Sequence, residues 1–358
     1  MEIKDLVRKN ILNLKPYTSA RDIYEGENGI LLDANENSWG STFTSIESLS
    51  LNRYPDPHQK DLRQLIESVL SIPKENLFFG VGSDEIIDLL IRVFCNPGKD
   101  KVLIPEPTYG MYKVACDIND VETTEVLLTD KFQIDLNTIR ENYTSNTKII
   151  FLCSPNNPTG NLLNKQDVIQ LCNEFKSIII VDEAYIDFAN DGSLIDEIKN
   201  YPNLVVLRTF SKAWGLAGIR LGYCTANVEI INLLFKVKAP YNINSLTRYA
   251  LEISLKNLKL KEKYVRGIIK ERERLKNQLE SLPGIETVYN SDANFLLVKF
   301  ASPSGKNEEA RAVLAKLAER NIIVRDRSSQ PKLQNCLRIS IGNEEENDLL
   351  WDTIKKII

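Results

Sequence analysis

Between about residues 75 and 225, short apolar runs alternate with segments whose apolar positions recur at helical spacing. The runs at 77–81, 101–104, 122–127, 148–153, 178–181, 204–210 and 221–225 are bounded by polar and turn-forming residues. Continuous apolar runs of this length suit strands buried on both faces, as in parallel sheets. Segments 84–94 and 165–175 each carry one apolar face and predict helices. The alternation predicts an α/β fold whose large domain holds a mostly parallel sheet flanked by helices. In such a sheet, ligand-binding groups gather at the carboxyl ends of the strands.

Beyond Pro240 the pattern changes. A helical stretch is expected over 245–282, closed by Pro283-Gly284, and its Lys, Arg and Glu run reads as a solvated face. Strand-like 294–300, a helix at 307–319, strand-like 322–325 and 336–341 and a final helix follow. These elements predict a smaller α+β domain. The expected division is an N-terminal arm at 1–30 that completes the small domain, a large domain at 31–245, and a connecting helix with the small domain at 246–358.

Composition narrows the chemistry. The 358 residues are 43% hydrophobic and 26% charged, with a net charge of −4, which argues against a nucleic-acid or anionic-membrane surface. The first 14 residues mix charges with apolar side chains and show no signal core, so a cytoplasmic location is expected. Six scattered cysteines form no C-x-x-C pair and read as reduced core residues. With a single histidine, His58, in a proline-rich loop, neither zinc nor histidine-based acid–base chemistry is expected, and no metal is assigned.

The most chemically specific stretch is Thr209-Phe-Ser-Lys-Ala-Trp-Gly-Leu-Ala-Gly-Ile-Arg-Leu-Gly222. Lys212 stands just past an apolar run, beside Ser211 and ahead of three glycines, with Arg220 eight residues on. A lysine that forms a Schiff base must shed its proton near neutral pH, and burial beside cations lowers its pKa. A bare Ser-Lys reads as a turn with a surface lysine; S-K-x-x-G-x-x-G-x-R is far more specific. Gly80-Val-Gly-Ser-Asp-Glu85 follows a strand and opens a helix, with Ser83 the expected N-cap and free N–H groups suited to a phosphate. A dinucleotide fingerprint would need glycine where Glu85 stands. Pro107-Thr-Tyr109, Ser154-Pro-Asn-Asn-Pro-Thr-Gly160 and Val181-Asp-Glu-Ala-Tyr185 also follow strands, and each alone reads as a turn.

The order G-S-D-E, P-x-Y, N-P-T-G, D-E-A-Y and S-K-x-x-G-x-x-G-x-R resembles that of the fold-type I pyridoxal-phosphate aminotransferases over nearly the whole chain. The resemblance implies pyridoxal 5'-phosphate held covalently by Lys212, with its phosphate cradled by Gly82, Ser83, Asp84, Ser211 and Arg220. It places Asp182 against the pyridine nitrogen, where a carboxylate keeps the ring protonated. Asn157, assisted by Tyr185, meets the 3'-oxygen, and Tyr109 stacks on the ring.

Three further segments, Lys15-Pro-Tyr17, Leu31-Leu-Asp-Ala-Asn-Glu-Asn37 and Arg53-Tyr-Pro-Asp-Pro57, are similar to N-terminal signatures of the histidinol-phosphate aminotransferases. Ser38 departs from the proline often found there. The resemblance implies histidinol phosphate and glutamate or 2-oxoglutarate as small-molecule substrates in a ping-pong transamination. One pocket then takes a phosphate and a carboxylate in turn, a task assigned to Tyr17, Asn35, Arg325 and Arg338, with bidentate arginine contact. Tyr54 is expected to cross a homodimer interface to the partner's cofactor phosphate. Sister activities on the same fold, an aromatic aminotransferase or a threonine-phosphate decarboxylase, remain alternatives. So do a non-catalytic cofactor-binding regulator and a nucleotide-binding α/β protein.

Overall fold

The computed structural model describes residues 30–33, 35–40, 55–301 and 308–358. Its strands are β1 (Ile30–Leu31), β2 (Leu77–Val81), β3 (Lys101–Glu106), β4 (Glu122–Leu127), β5 (Thr147–Cys153), β6 (Ile178–Asp182) and β7 (Leu204–Thr209). They continue with β8 (Leu221–Ala226), β9 (Ile285–Val288), β10 (Phe295–Phe300), β11 (Ile322–Ile323), β12 (Arg325–Asp326) and β13 (Cys336–Ser340). Seven strands form the main sheet in the order β2-β8-β7-β6-β5-β3-β4.

Strand β8 runs antiparallel to both neighbours, β2 and β7, and every other pairing in this sheet is parallel. The other six strands therefore end at one edge. The segment joining β7 to β8 turns back at that same edge, so it lies beside the ends of β2, β3, β5 and β6. This arrangement gathers the five motifs.

Both faces of the central strands are buried, which is why β5, β6 and β7 read as nearly unbroken apolar runs, whereas β4 at the sheet edge is largely exposed and carries two glutamates and two threonines. Within β5, Ile149, Phe151 and Cys153 join one core with Phe78, Ile180 and Val205, while Ile150 and Leu152 join another with Ile179, Val181 and Val206. Side chains alternate along a strand, so successive residues serve opposite cores. The helix Gly82–Phe94 covers the first face with Ile86, Ile87 and Leu90, and Lys165–Glu174 covers the second with Val168 and Leu171. Fully burying one such side chain contributes about 1.5–3 kcal/mol.

A second, antiparallel sheet has the order β12-β13-β10-β9. Strand β9 was not among the expected elements; of its four residues Ile-Glu-Thr-Val only Val288 is buried, which leaves little apolar signal. The expected strand at 322–325 is divided. Ile322–Ile323 pairs in parallel with Ile30–Leu31, whereas Arg325–Asp326 pairs with β13. The expected helix over 245–282 is two helices, Ser245–Leu255 and Leu258–Glu280, because Asn257 leaves helical geometry at φ −103°, ψ 33°. The second helix buries Val265, Ile268, Leu275 and Leu279 and exposes Lys259, Lys263, Arg266 and Lys270 as a solvated face, but Glu271 and Arg272 of the same charged run are buried.

Candidate active site

A cavity of about 270 Å³ lies at the carboxyl edge of the main sheet, against the arginines of the second. Gly82, Ser83, Asp84, Tyr109, Asn157, Asp182, Tyr185, Ser211, Lys212, Arg220, Asn35, Arg325 and Arg338, all expected from sequence, line it. Tyr17 and Tyr54 lie outside the described residues.

Lys212 sits in the β7–β8 connection, which is anchored by the buried rings of Phe210 and Trp214. Thr209 and Ser211 tighten the turn: the Ser211 N–H donates to the Thr209 hydroxyl at 3.1 Å, and that hydroxyl donates to the Ser211 oxygen at 2.9 Å. The Lys212 ammonium lies 5.7 Å from the centre of the Tyr185 ring. Burial, reinforced by Arg338 and Arg220, lowers its pKa to about 8 against the pull of Glu36 and Asp84. About one amine in ten is then neutral at pH 7, against fewer than one in a thousand for an ordinary lysine.

Asp182 ends β6 and is buried. Its carboxylate accepts the Tyr112 hydroxyl at 2.9 Å and the Ala184 N–H at 3.0 Å. Burial nonetheless raises its pKa to about 6, because those donors and Lys212 only partly offset the lost hydration. A carboxylate held at this disadvantage gains from any cation brought into the cavity.

The Tyr185 hydroxyl accepts the side-chain amides of Asn35 and Asn157, each at 3.2 Å, and burial pushes its pKa up to about 12. Arg338 joins the two sheets. Its Nη1 donates to Asn157 Oδ1 and its Nη2 to the Asp33 carbonyl, each at 2.6 Å, while its guanidinium lies 5.3 Å over the Phe295 ring. Asn35 is tied to the second sheet through the Ser340 hydroxyl and Asn294. Arg325 and Arg338 are direct register partners on β12 and β13, so their side chains leave the same face. Two like charges placed opposite each other weaken a sheet, and a bound anion would relieve that repulsion.

The other end of the cavity is the start of the helix Gly82–Phe94. Here the expectation of a Ser83 N-cap is corrected: the cap position is Val81, and no side chain caps the helix. Glu85 instead turns back to accept the Val81 N–H at 2.6 Å. The Gly82 N–H donates to the Arg220 carbonyl at 2.9 Å, so it is the N–H groups of Ser83 and Asp84 that meet the cavity beside Ser211 and Arg220, which suits an anion. Two glycines permit the approach. A Cβ on Gly222 would stand 2.5 Å from the Ser83 nitrogen, and one on Gly82 (φ +74°) would stand 2.8 Å from Arg220 Nη2. Asp84 accepts from Tyr109 at 3.2 Å and pairs with Arg220 at 3.5 Å, so its carboxylate positions those two side chains.

Several lining residues were not singled out from sequence: Asp33, Glu36, Cys153, Thr209 and Arg327. The Arg325-Asp-Arg327 alternation was a readable signal, since residues two apart on an extended segment share a face. Asp33 contributes a backbone carbonyl, for which residue type gives no sign.

The chain matches the model of the aminotransferase class I and II family over residues 28–354. A curated histidinol-phosphate aminotransferase of Cytophaga hutchinsonii is 47% identical over 353 residues, covering 99% of this chain and 98% of that one. The enzyme of the same name from Parabacteroides distasonis is 45% identical, with 99% of each chain covered. Among solved structures, the histidinol-phosphate aminotransferase of Sinorhizobium meliloti in complex with pyridoxal-5'-phosphate shares the fold, with a TM-score of 0.86 at 21% identity over 98% of this chain and 97% of that one. With a family model spanning nearly the whole sequence and close relatives matching end to end, the chain belongs to the class I and II aminotransferases.

Proposed function

We propose that this chain moves an amino group between L-histidinol phosphate and 2-oxoglutarate, giving imidazole-acetol phosphate and L-glutamate, a transamination of histidine biosynthesis. Full-length identity of 42–47% to curated histidinol-phosphate aminotransferases supports this reading over an aromatic aminotransferase or a threonine-phosphate decarboxylase. The cofactor is pyridoxal 5'-phosphate, whose protonated ring serves as the electron sink for the carbanion formed beside the transferred nitrogen.

The residues present fit that group. The uncapped helix start at Gly82–Asp84, the Ser211 hydroxyl and Arg220 make an anion cradle, and a Cβ at Gly82 would intrude on it. Asp182, destabilised by burial, is matched to a protonated ring nitrogen. Asn157 and Tyr185 stand ready to hydrogen-bond the ring hydroxyl, with Tyr109 at the ring face. Lys212 holds the cofactor, and its Nζ takes the proton from the substrate carbon that bears the nitrogen and returns it during transfer. Arg338 and Arg325, with Asn35 and Tyr17, bind the substrate's phosphate or carboxylate in alternate half-reactions.

The observation that carries this reading is the meeting in one cavity of a lysine with pKa about 8, a buried carboxylate and two cross-strand arginines. Incubation with histidinol phosphate and 2-oxoglutarate should yield glutamate at a rate that unphosphorylated histidinol does not approach. Carbon dioxide release from threonine phosphate, without glutamate formation, would refute the reading.

The reading extends to a cytoplasmic homodimer, with the large domain at 31–245 and the arm and residues 246–358 forming the rest. Within the dimer, Tyr54 reaches the partner's cofactor phosphate. Tyr54→Phe should then weaken cofactor retention several-fold, and light scattering should give twice the chain mass; a fully active monomer would refute the assembly. Among the described residues, no helix is long and apolar enough to cross a membrane.

A further inference from the structure

Tyr112 lies one helical turn beyond Tyr109, on the helix Met111–Ile118, and is fully buried. It does not line the cavity, yet its hydroxyl donates to Asp182 Oδ2 at 2.9 Å, and Asp182 does line it. The ring has little freedom to turn that hydroxyl away. It stacks on Phe151 with centroids 4.6 Å apart and planes 2° from parallel, and Tyr109 meets it edge-on at 5.5 Å. Burial, together with the neighbouring Asp182, pushes the phenol pKa well above its ordinary value, so the group stays a donor throughout the working pH range.

A buried tyrosine hydroxyl needs some partner, and a carboxylate is a sufficient one for packing alone. This geometry does more. Asp182 has two described donors, on opposite oxygens, and the other is the backbone N–H of Ala184. Together they fix the carboxylate plane. Removing the hydroxyl leaves Oδ2 buried with less compensation and makes the carboxylate a stronger base.

We propose that Tyr112 is a positioning residue that acts through Asp182, orienting the carboxylate and biasing the proton it shares with the bound cofactor toward the ring nitrogen. The proposal rests on the assignment of Asp182 to that nitrogen. The electron sink is effective only with the proton on the ring, so losing the Tyr112 hydroxyl weakens the chemical step while leaving the arginine pocket untouched.

The test reconstitutes the apoprotein with cofactor labelled with ¹⁵N in the ring and reads the ring-nitrogen signal by NMR. Wild type, Tyr112→Phe, Asp182→Asn and Phe78→Leu are compared. Tyr112→Phe should move the signal part of the way toward the unprotonated position and lower kcat about tenfold, the loss of one hydrogen bond to a charged group, with KM changed less than twofold. Asp182→Asn should move it the whole way. Phe78→Leu removes packing from the same core, where its ring meets Phe235, and leaves the Phe151 stack on Tyr112 in place, so it should lower Tm without moving the signal. A Tyr112→Phe signal superimposed on wild type overturns the proposal while Asp182 keeps its role. An Asp182→Asn signal that stays protonated overturns the assignment of Asp182 and the proposal with it. If Tyr112→Phe does not fold, 3-fluorotyrosine at position 112 retains packing and alters only the donor; an unchanged pH profile of kcat then overturns the proposal.

Discussion

Lys212→Met should make the apoprotein more stable, and the gain should depend on pH in a defined way. The substitution replaces a buried ammonium with an apolar side chain of similar length. In the folded chain the lysine pKa falls from 10.5 to about 8, chiefly through burial and then through Arg338. Because the folded value lies below the unfolded one, the unfolded chain binds more protons between pH 8 and 10.5, and wild-type stability rises across that window. Below about pH 8 the whole penalty is present. At about 1.4 kcal/mol for each pH unit it amounts to about 3 kcal/mol. Loss of the contact with the Tyr185 ring, 5.7 Å away, offsets about 0.5–1 kcal/mol. The variant should therefore unfold at higher urea than wild type at pH 6.5, by about 2 kcal/mol. The difference should shrink from about pH 8 upward and level off above pH 10.5, where Lys212 becomes neutral in both states. Urea melts of both apoproteins at several pH values measure this directly. A difference independent of pH, or a variant less stable at pH 6.5, would show that the ammonium is at ease in its site. Lys212 would then be no readier than an ordinary lysine to shed its proton near pH 7, and its part as a proton carrier would fall.

Asp182→Asn should still bind cofactor but lose about 10²–10³ in kcat, as when one preorganised electrostatic partner is removed; near-normal turnover would contradict its role. Arg338→Ala should cost about ten- to a hundredfold in kcat/KM for both histidinol phosphate and glutamate. Arg325→Ala should weaken the phosphate substrate more than glutamate, and an equal loss on both would remove its assignment to phosphate. Gly222→Ala drives a Cβ to 2.5 Å from the Ser83 nitrogen, so it should destabilise the fold by about 1–3 kcal/mol and loosen cofactor binding, read by Tm and by dialysis.

Much of this molecule is written locally in its sequence. Strands β2 and β4 have the boundaries that their apolar runs indicated, and β5, β6, β7 and β8 differ from their runs by a single residue at one end. For β5, β6 and β7 the reason is that burial on both faces leaves a nearly unbroken apolar run that the flanking turn residues interrupt, which does not hold for the exposed edge strand β4. The chemistry was legible for a related reason. Lys212, Asp182, Asn157, Tyr109 and Gly82 each stand within a few residues of a strand's carboxyl end, where side chains converge on a common edge.

Tertiary structure decided what depends on partners distant in sequence. The reversal of β8, which brings Arg220 and Gly222 against Gly82 and Ser83, has no local signature, since a strand buried on both faces reads the same in either direction. The division of 322–326 between two sheets depends on which chain lies alongside, β1 for Ile322–Ile323 and β13 for Arg325. The facing of Arg325 and Arg338 is a matter of register, which pairing between strands sets. Tyr112 lay hidden in an ordinary helical pattern. It meets Asp182 only because strands β3 and β6 end at the same edge, one strand apart, and no spacing within 70 residues of sequence encodes that contact.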